Sequence, residues 1–219
     1  AAVPLIQRDI AICEKQGDKT NTAVGLSNLA LMAQIPIGAL AEAADNLRCA
    51  IILDQEIESP YNEASDRQAY GRLLAYCGDW VNSTTELDSA LELAKAERHI
   101  QGQGIIWTDR ARSALLQGDS AAAQIAAQEA LRLADEDART SYPVEQDYVW
   151  AHWLLGWAAL AQGHHLESQT RLDEALRRCR AINMVELEPA ILLAQARLAR
   201  ATGQTATSYS YAQQALTIA

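Results

Sequence analysis

Glycine recurs along this chain with a near-constant interval, and each of these glycines is followed twelve residues later by alanine. The pairs are Gly38 and Ala50, Gly78 and Ala90, Gly118 and Ala130, Gly163 and Ala175, and Gly203 and Ala215, with glycine intervals of 40, 40, 45 and 40 residues. A period of this length marks an array in which every unit buries its apolar face against the next. The 219 residues are therefore expected to share one continuous seam rather than fill separate globular cores, and they read as a single array over 1–219.

Aligned on the glycines, the units repeat their apolar pattern. Five residues on come Ala43, Ser83, Ala123, Ser168 and Ser208, and nine on come Leu47, Leu87, Ala127, Leu172 and Ala212. Twelve and thirteen on come Ala50-Ile51, Ala90-Leu91, Ala130-Leu131, Ala175-Leu176 and Ala215-Leu216. These offsets trace one face of an α-helix, and period-two alternation is absent. A second helix precedes each glycine, with Leu31, Gly71, Ala111, Gly156 and Ala196 seven residues upstream. The glycine belongs in the tight turn between the two helices, where positive φ is cheap for glycine alone. Asp79 and Asp119 follow it and suit the start of the next helix. Ser59-Pro60 and Tyr142-Pro143 mark the longer turns between units. The five extra residues of the 45-residue interval fall in the acidic stretch 135–145, where a longer exposed loop is expected. The units then run over 1–18 (a second helix alone), 19–58, 59–98, 99–140, 141–183 and 184–219. Both ends stand in frame with the repeat, so the chain is expected to be a segment of a longer protein.

Composition narrows the function. Phenylalanine is absent while 49% of the residues are hydrophobic, a balance that favours closely packed, alanine-rich helices. A net charge of −10 argues against sequence-independent binding of nucleic acid and against anionic membranes. No run approaches the ~18 apolar residues of a membrane span, no signal peptide leads the chain, and a cytoplasmic location is expected. Cys13, Cys49, Cys77 and Cys179 form no CxxC pair and read as reduced, buried, small hydrophobes.

The spacing of small residues resembles the tetratricopeptide repeat (TPR). That family carries a small residue at the eighth position of its unit, glycine near the fifteenth, and small residues at the twentieth and twenty-seventh. Here the step from Gly71 to Ala90, Ala111 to Ala130, Gly156 to Ala175 and Ala196 to Ala215 is 19 residues each time. The family's proline near the end of the second helix is replaced by Gln55, Lys95, Asp135 and Arg180. The resemblance implies an all-α superhelical solenoid of about five antiparallel helix pairs. Runs such as Ala90-Leu91-Glu92-Leu93-Ala94 in ~40-residue units also resemble the sensor arrays of bacterial signal-transduction ATPases of the STAND class, which implies a sensing module.

In the TPR family the first helix of each pair lines a concave groove, and certain positions of the unit face inward. Carried onto this sequence, the ninth position holds Met32, Arg72, Arg112, Trp157 and Arg197, while Trp150 and Trp153 hold the second and fifth positions of the fourth unit. Arginine offers a planar fork for carboxylate or phosphate, and tryptophan a large apolar area. The expected partner is therefore a protein or peptide segment, acidic in character, held by Arg72, Arg112, Trp150, Trp153, Trp157 and Arg197. The same residues admit a plainer reading. Trp150, Trp153 and Trp157 have the spacing of a buried helix face, and the arginines can pair with nearby acids such as Asp66 or Asp109. Two alternatives remain beside the peptide groove: end-to-end self-association as a structural scaffold, and small-molecule recognition by the tryptophans. His152, His164 and His165 lack metal-ligand spacing, no cofactor motif is present, and no GxSxG, HExxH or phosphate loop supports an enzyme.

Overall fold

The computed structural model describes residues 2–218, and among these no strand forms. The helices are α1 (Ala2–Gln16), α2 (Lys19–Leu29), α3 (Leu40–Glu56), α4 (Pro60–Tyr76), α5 (Trp80–Ala96), α6 (Ile100–Gln117), α7 (Ser120–Thr140), α8 (Glu145–Ala161), α9 (His165–Ala181), α10 (Glu188–Ala201) and α11 (Thr205–Ile218). The fold is all-α, with helices packed in consecutive pairs in the manner of a helical solenoid. Two compact units divide it, Ala1–Gly102 and Gln103–Ala219. In the first, each of α1 to α5 packs on the next; in the second, the same holds from α7 to α11.

The repeated small residues explain how the pairs close. A Cβ placed on Gly71 would stand 2.8 Å from Leu87 Cγ, and one on Gly156 would stand 2.7 Å from Leu172 Cγ. The partner helix thus occupies the space a side chain would need. A hydrogen bond pins the same crossing. Ser83 Oγ donates to the Gly71 carbonyl at 2.7 Å, Ser168 Oγ to the Gly156 carbonyl at 2.9 Å, and Ser208 Oγ to the Ala196 carbonyl at 2.8 Å. Each pin contributes about 1 kcal/mol net. The α2–α3 pair departs from this pattern. Leu31 replaces the small residue, and Pro36, which has no N–H to give, follows. Here α2 gives way to a π-helical turn at Ala30–Gln34 and a 3₁₀ turn at Ile35–Ile37, with the Ile35 N–H reaching back to the Ala30 carbonyl.

Turn chemistry ends the helices. Gly38, Gly78, Gly118, Gly163 and Gly203 all adopt φ between 77° and 82°. At Gly78 the pairing is that of a Schellman cap: its N–H bonds the Ala75 carbonyl, and the Asp79 N–H bonds the Leu74 carbonyl. Asp18, Asp79 and Asp119 then cap the following helices, each accepting from a backbone N–H three residues on. Three of the turns between pairs use the same cap without glycine: Glu58, Arg98 and Asn183 sit at φ 52°, 55° and 56°.

Two expectations are corrected. The acidic stretch 135–145 is mostly helix, because α7 continues to Thr140 and only residues 141–144 lie outside helix. Arg132 binds both Glu129 and Glu136 across successive turns, and Tyr148 Oη donates to the Ala134 carbonyl and to Asp135. These contacts support the additional turn. All four cysteines are free thiols, but only Cys13 and Cys179 are buried. Cys49 lies just outside the Ala50-Ile51 stripe, and Cys77 ends α4 beside the turn glycine.

A methyl group at the tight crossing should force Leu172 aside. Gly156→Ala is expected to lower stability to urea by about 1–3 kcal/mol. Arg98→Gly, which relieves left-handed strain at some entropic cost, is expected to raise it by about 0.5–1 kcal/mol. Equal and opposite results would contradict the packing described here.

Candidate functional site

Helix α8 follows Pro143 and carries Glu145 and Asp147 in its first turn, where acids complement the helix dipole. Beyond them it is apolar on nearly every side, as a helix enclosed by neighbours should be. Val149, Ala151, Leu154, Leu155, Ala158 and Ala159 are each at most 1% exposed. Val149, Leu154 and Leu155 form a core with residues of α7, α9 and α10, including Ala127, Leu172, Ala175, Cys179, Ile191 and Leu198. That core fixes the direction of the three tryptophans.

The tryptophans form a continuous row. Trp150 and Trp153 meet edge to face with centroids 5.4 Å apart, and Trp153 and Trp157 meet at 5.4 Å with a 41° tilt. Trp153, in the middle, is 7% exposed, and its indole Nε1 is enclosed without a hydrogen-bond partner. Trp150 and Trp157 are half-buried. An arginine flanks each end. The Arg112 guanidinium, from α6, lies 4.4 Å from the Trp150 ring centroid, and the Arg197 guanidinium, from α10, lies 5.9 Å from that of Trp157. Each such contact contributes about 0.5–2 kcal/mol, more where water is excluded.

The two arginines differ in what they can still bind. Arg112 is 8% exposed, and Asp109, 3% exposed, lies 3.4 Å away in an ion pair one turn earlier on α6. Its charge is met within the protein. Arg197 is exposed and forms no ion pair among the described residues. The ladder therefore offers two partly open indoles and one guanidinium fork free to take a carboxylate.

Five of the six residues singled out by position are thus in one constellation: Arg112, Trp150, Trp153, Trp157 and Arg197. Arg72 belongs to the first unit, half-buried on α4, outside this group. The reading of a buried helix face holds for Trp153, which lies in the core, while Trp150 and Trp157 lie at its margin. Asp109 does pair with arginine. Asp66 does not; it accepts from Ser27 Oγ at 2.6 Å. Trp107, with the Arg110 guanidinium 4.6 Å from its ring centroid, packs against the same core and was not anticipated, although its aromatic-cation sequence, Trp107 to Arg110, was visible.

A hollow of about 500 Å³ lies between α8 and α9, lined by His152, Thr170, Arg171, Asp173, Glu174 and Arg177. Burial and the Arg171 guanidinium beside it push His152 down to about 4. Arg171 Nη1 lies 3.5 Å from His152 Nδ1. Hydrogen bonds from Arg177 and Arg178 hold the Glu174 carboxyl down to about 2.

No protein-family model matches the chain, and neither does a curated protein. Among solved structures, BtubC (BKLC) from P. vanneervenii is similar, with a TM-score of 0.74 over 99% of this chain and 89% of that one, at 15% sequence identity. At that identity the likeness is one of fold.

A histidine kept neutral in the folded state costs stability once the unfolded chain can take the proton. The second unit should lose stability as pH falls from about 6.5 toward 4 and level off below. In imidazole NMR, His152 should titrate at the lower end of this window, and His152→Gln should flatten the decline in urea stability across it.

Proposed function

We propose that this chain is a protein-interaction module of the TPR-like kind, which holds a short segment of a partner protein against the Trp150–Trp153–Trp157 row. The observation that carries this reading is the flanked ladder itself: two half-open indoles beside an arginine without a carboxylate of its own. Large aromatic area and an unpaired guanidinium are the materials of binding hot spots. In this reading the segment sets an apolar or aromatic side chain against Trp150 and Trp157 and an acid against Arg197. Arg112 aligns Trp150 but reads no charge, since Asp109 already meets it. Arg72 offers a further cation on the first unit. The role is binding rather than catalysis. By its resemblance to STAND-class sensor arrays, the module serves as the sensing region of a larger bacterial signalling protein in the cytoplasm.

A peptide library displayed on phage and selected against the chain tests this. Enriched peptides should pair an aromatic or large aliphatic residue with aspartate or glutamate. Their affinity should fall about tenfold or more on Arg197→Ala, as expected for losing a charged hydrogen bond, and comparably on Trp157→Ala, with the helical circular dichroism unchanged. Selected peptides that lack acids and bind both variants undiminished would refute the assignment.

One feature favours a second reading, self-association. Helix α11 buries Ala215 alone, while Tyr209 and Leu216 are 72% and 80% exposed. A second copy seated on this face would cover them. Light scattering should then show mass rising with concentration, and Leu216→Glu should abolish the rise; a constant mass removes this reading.

A further inference from the structure

The register of the repeat places two acids where its other copies bury carbon. Asp54 stands sixteen residues after its turn glycine, at the position held by Ala94, Ala134 and Cys179 in later units. Asp66 stands twelve residues before the next, at the position held by Leu26, Ile106, Ala151 and Ile191. Both acids occupy the first unit, on the adjoining helices α3 and α4. Asp54 is fully buried and Asp66 is 7% exposed.

Their surroundings supply few donors. From α2, Ser27 Oγ donates to Asp66 Oδ1 at 2.6 Å. From α4, the Asn62 amide favours ionised Asp54, Glu63 opposes it, and Asp66 itself faces it; burial outweighs them all. Glu63 is already held by Arg67, which also binds Glu86 of α5. The π-helical turn at Ala30–Gln34, which packs on α3, carries no ionisable residue. No lysine or arginine acts on either carboxyl among the described residues. With both acids ionised, neither oxygen of Asp54 has a hydrogen-bond partner. Two buried carboxylates with so few donors are a costly arrangement, whereas a single proton between them gives Asp54 a hydrogen-bond partner and removes the repulsion.

We propose that Asp54 and Asp66 share one proton and form a pH-sensitive latch between α3 and α4, closed while the proton is held and loosened when both carboxyls ionise. Burial pushes both carboxyls up, Asp66 to about 7. The latch is thus set within the range where cells and compartments differ in pH. Opening the junction exposes both groups to water and releases the proton. The opening equilibrium should therefore rise about tenfold per pH unit from about 4, the ordinary aspartate range, up to the raised value, and be flat beyond it. The junction is tightest in mild acid and loosest above neutrality. Because α3 and α4 belong to successive helix pairs, the latch acts on the stacking of one pair on the next.

Carboxyl NMR on the whole chain labelled with carbon-13 aspartate tests the sharing directly. One pair of aspartate signals should titrate together with an apparent midpoint near 7, and Asp54→Asn and Asp66→Asn should each remove the shared transition. Hydrogen exchange of α3 and α4 amides, corrected for the intrinsic pH effect, should quicken at least tenfold between pH 5.5 and 8.0. In Asp54→Asn that difference should vanish, because the amide donates to Asp66 at every pH. If every aspartate of the unmodified protein titrates below about 5, or if Asp54→Asn leaves the exchange difference intact, the latch does not exist. The NMR measurement on the unaltered chain decides the matter even if a variant fails to fold.

Discussion

The closest approach of paired helices governs most of what this chain does. Where Gly71 meets Leu87 and Gly156 meets Leu172, the backbone of one helix touches the side chain of its partner with no room for a methyl group. The buried serine hydroxyls that bond the same backbones at Gly71 and Gly156 make the crossing a defined joint rather than a greasy contact. A serine in a helix interior is ordinarily neutral to unfavourable. Here it is favoured because its partner is a carbonyl on the facing helix. Within each compact unit that joint fixes how paired helices lie on one another, and in the second it belongs to the packing that lets Arg112 reach Trp150 and Arg197 reach Trp157.

The exceptions to the joint are as informative as its recurrences. Leu31 is too large for the position, and the helix around it widens to a π turn before Pro36 interrupts it. Asp54 and Asp66 break the apolar rule instead of the size rule, and the fold accommodates them by setting them against each other and against Ser27. Asp109 breaks it in a third way, by bringing a counter-charge to Arg112 in the core. The last two departures concentrate polar chemistry at a single point of an otherwise aliphatic core, one in each compact unit.

Much of this was legible in the order of residues. The glycine rhythm predicted the helix pairs and the left-handed turns, and the spacing of Trp150, Trp153 and Trp157 predicted a shared face. Three things were not legible, each for a physical reason. The left-handed turns at Glu58 and Arg98 carry no glycine, so tertiary packing overrides local preference there. The extension of α7 rests on Arg132 pairs and on Tyr148, which lies in the next helix and cannot be aligned with it by periodicity. The division of the tryptophans into one dry and two half-open rings depends on which neighbour covers each ring. The acids at Asp54 and Asp66 were readable in principle, since both fall on core offsets of the alignment; comparing polarity as well as size across the copies would have found them.

The uneven placement of tryptophan has a practical side. Trp107, Trp150, Trp153 and Trp157 lie in the second unit and Trp80 alone in the first, whereas the two exposed thiols, Cys49 and Cys77, both lie in the first. Intrinsic emission is accordingly dominated by one half of the molecule, and a thiol-reactive dye attaches to the other. The native chain comes with separate optical handles on its two halves, so the melting of each can be followed on its own without introducing a single new residue.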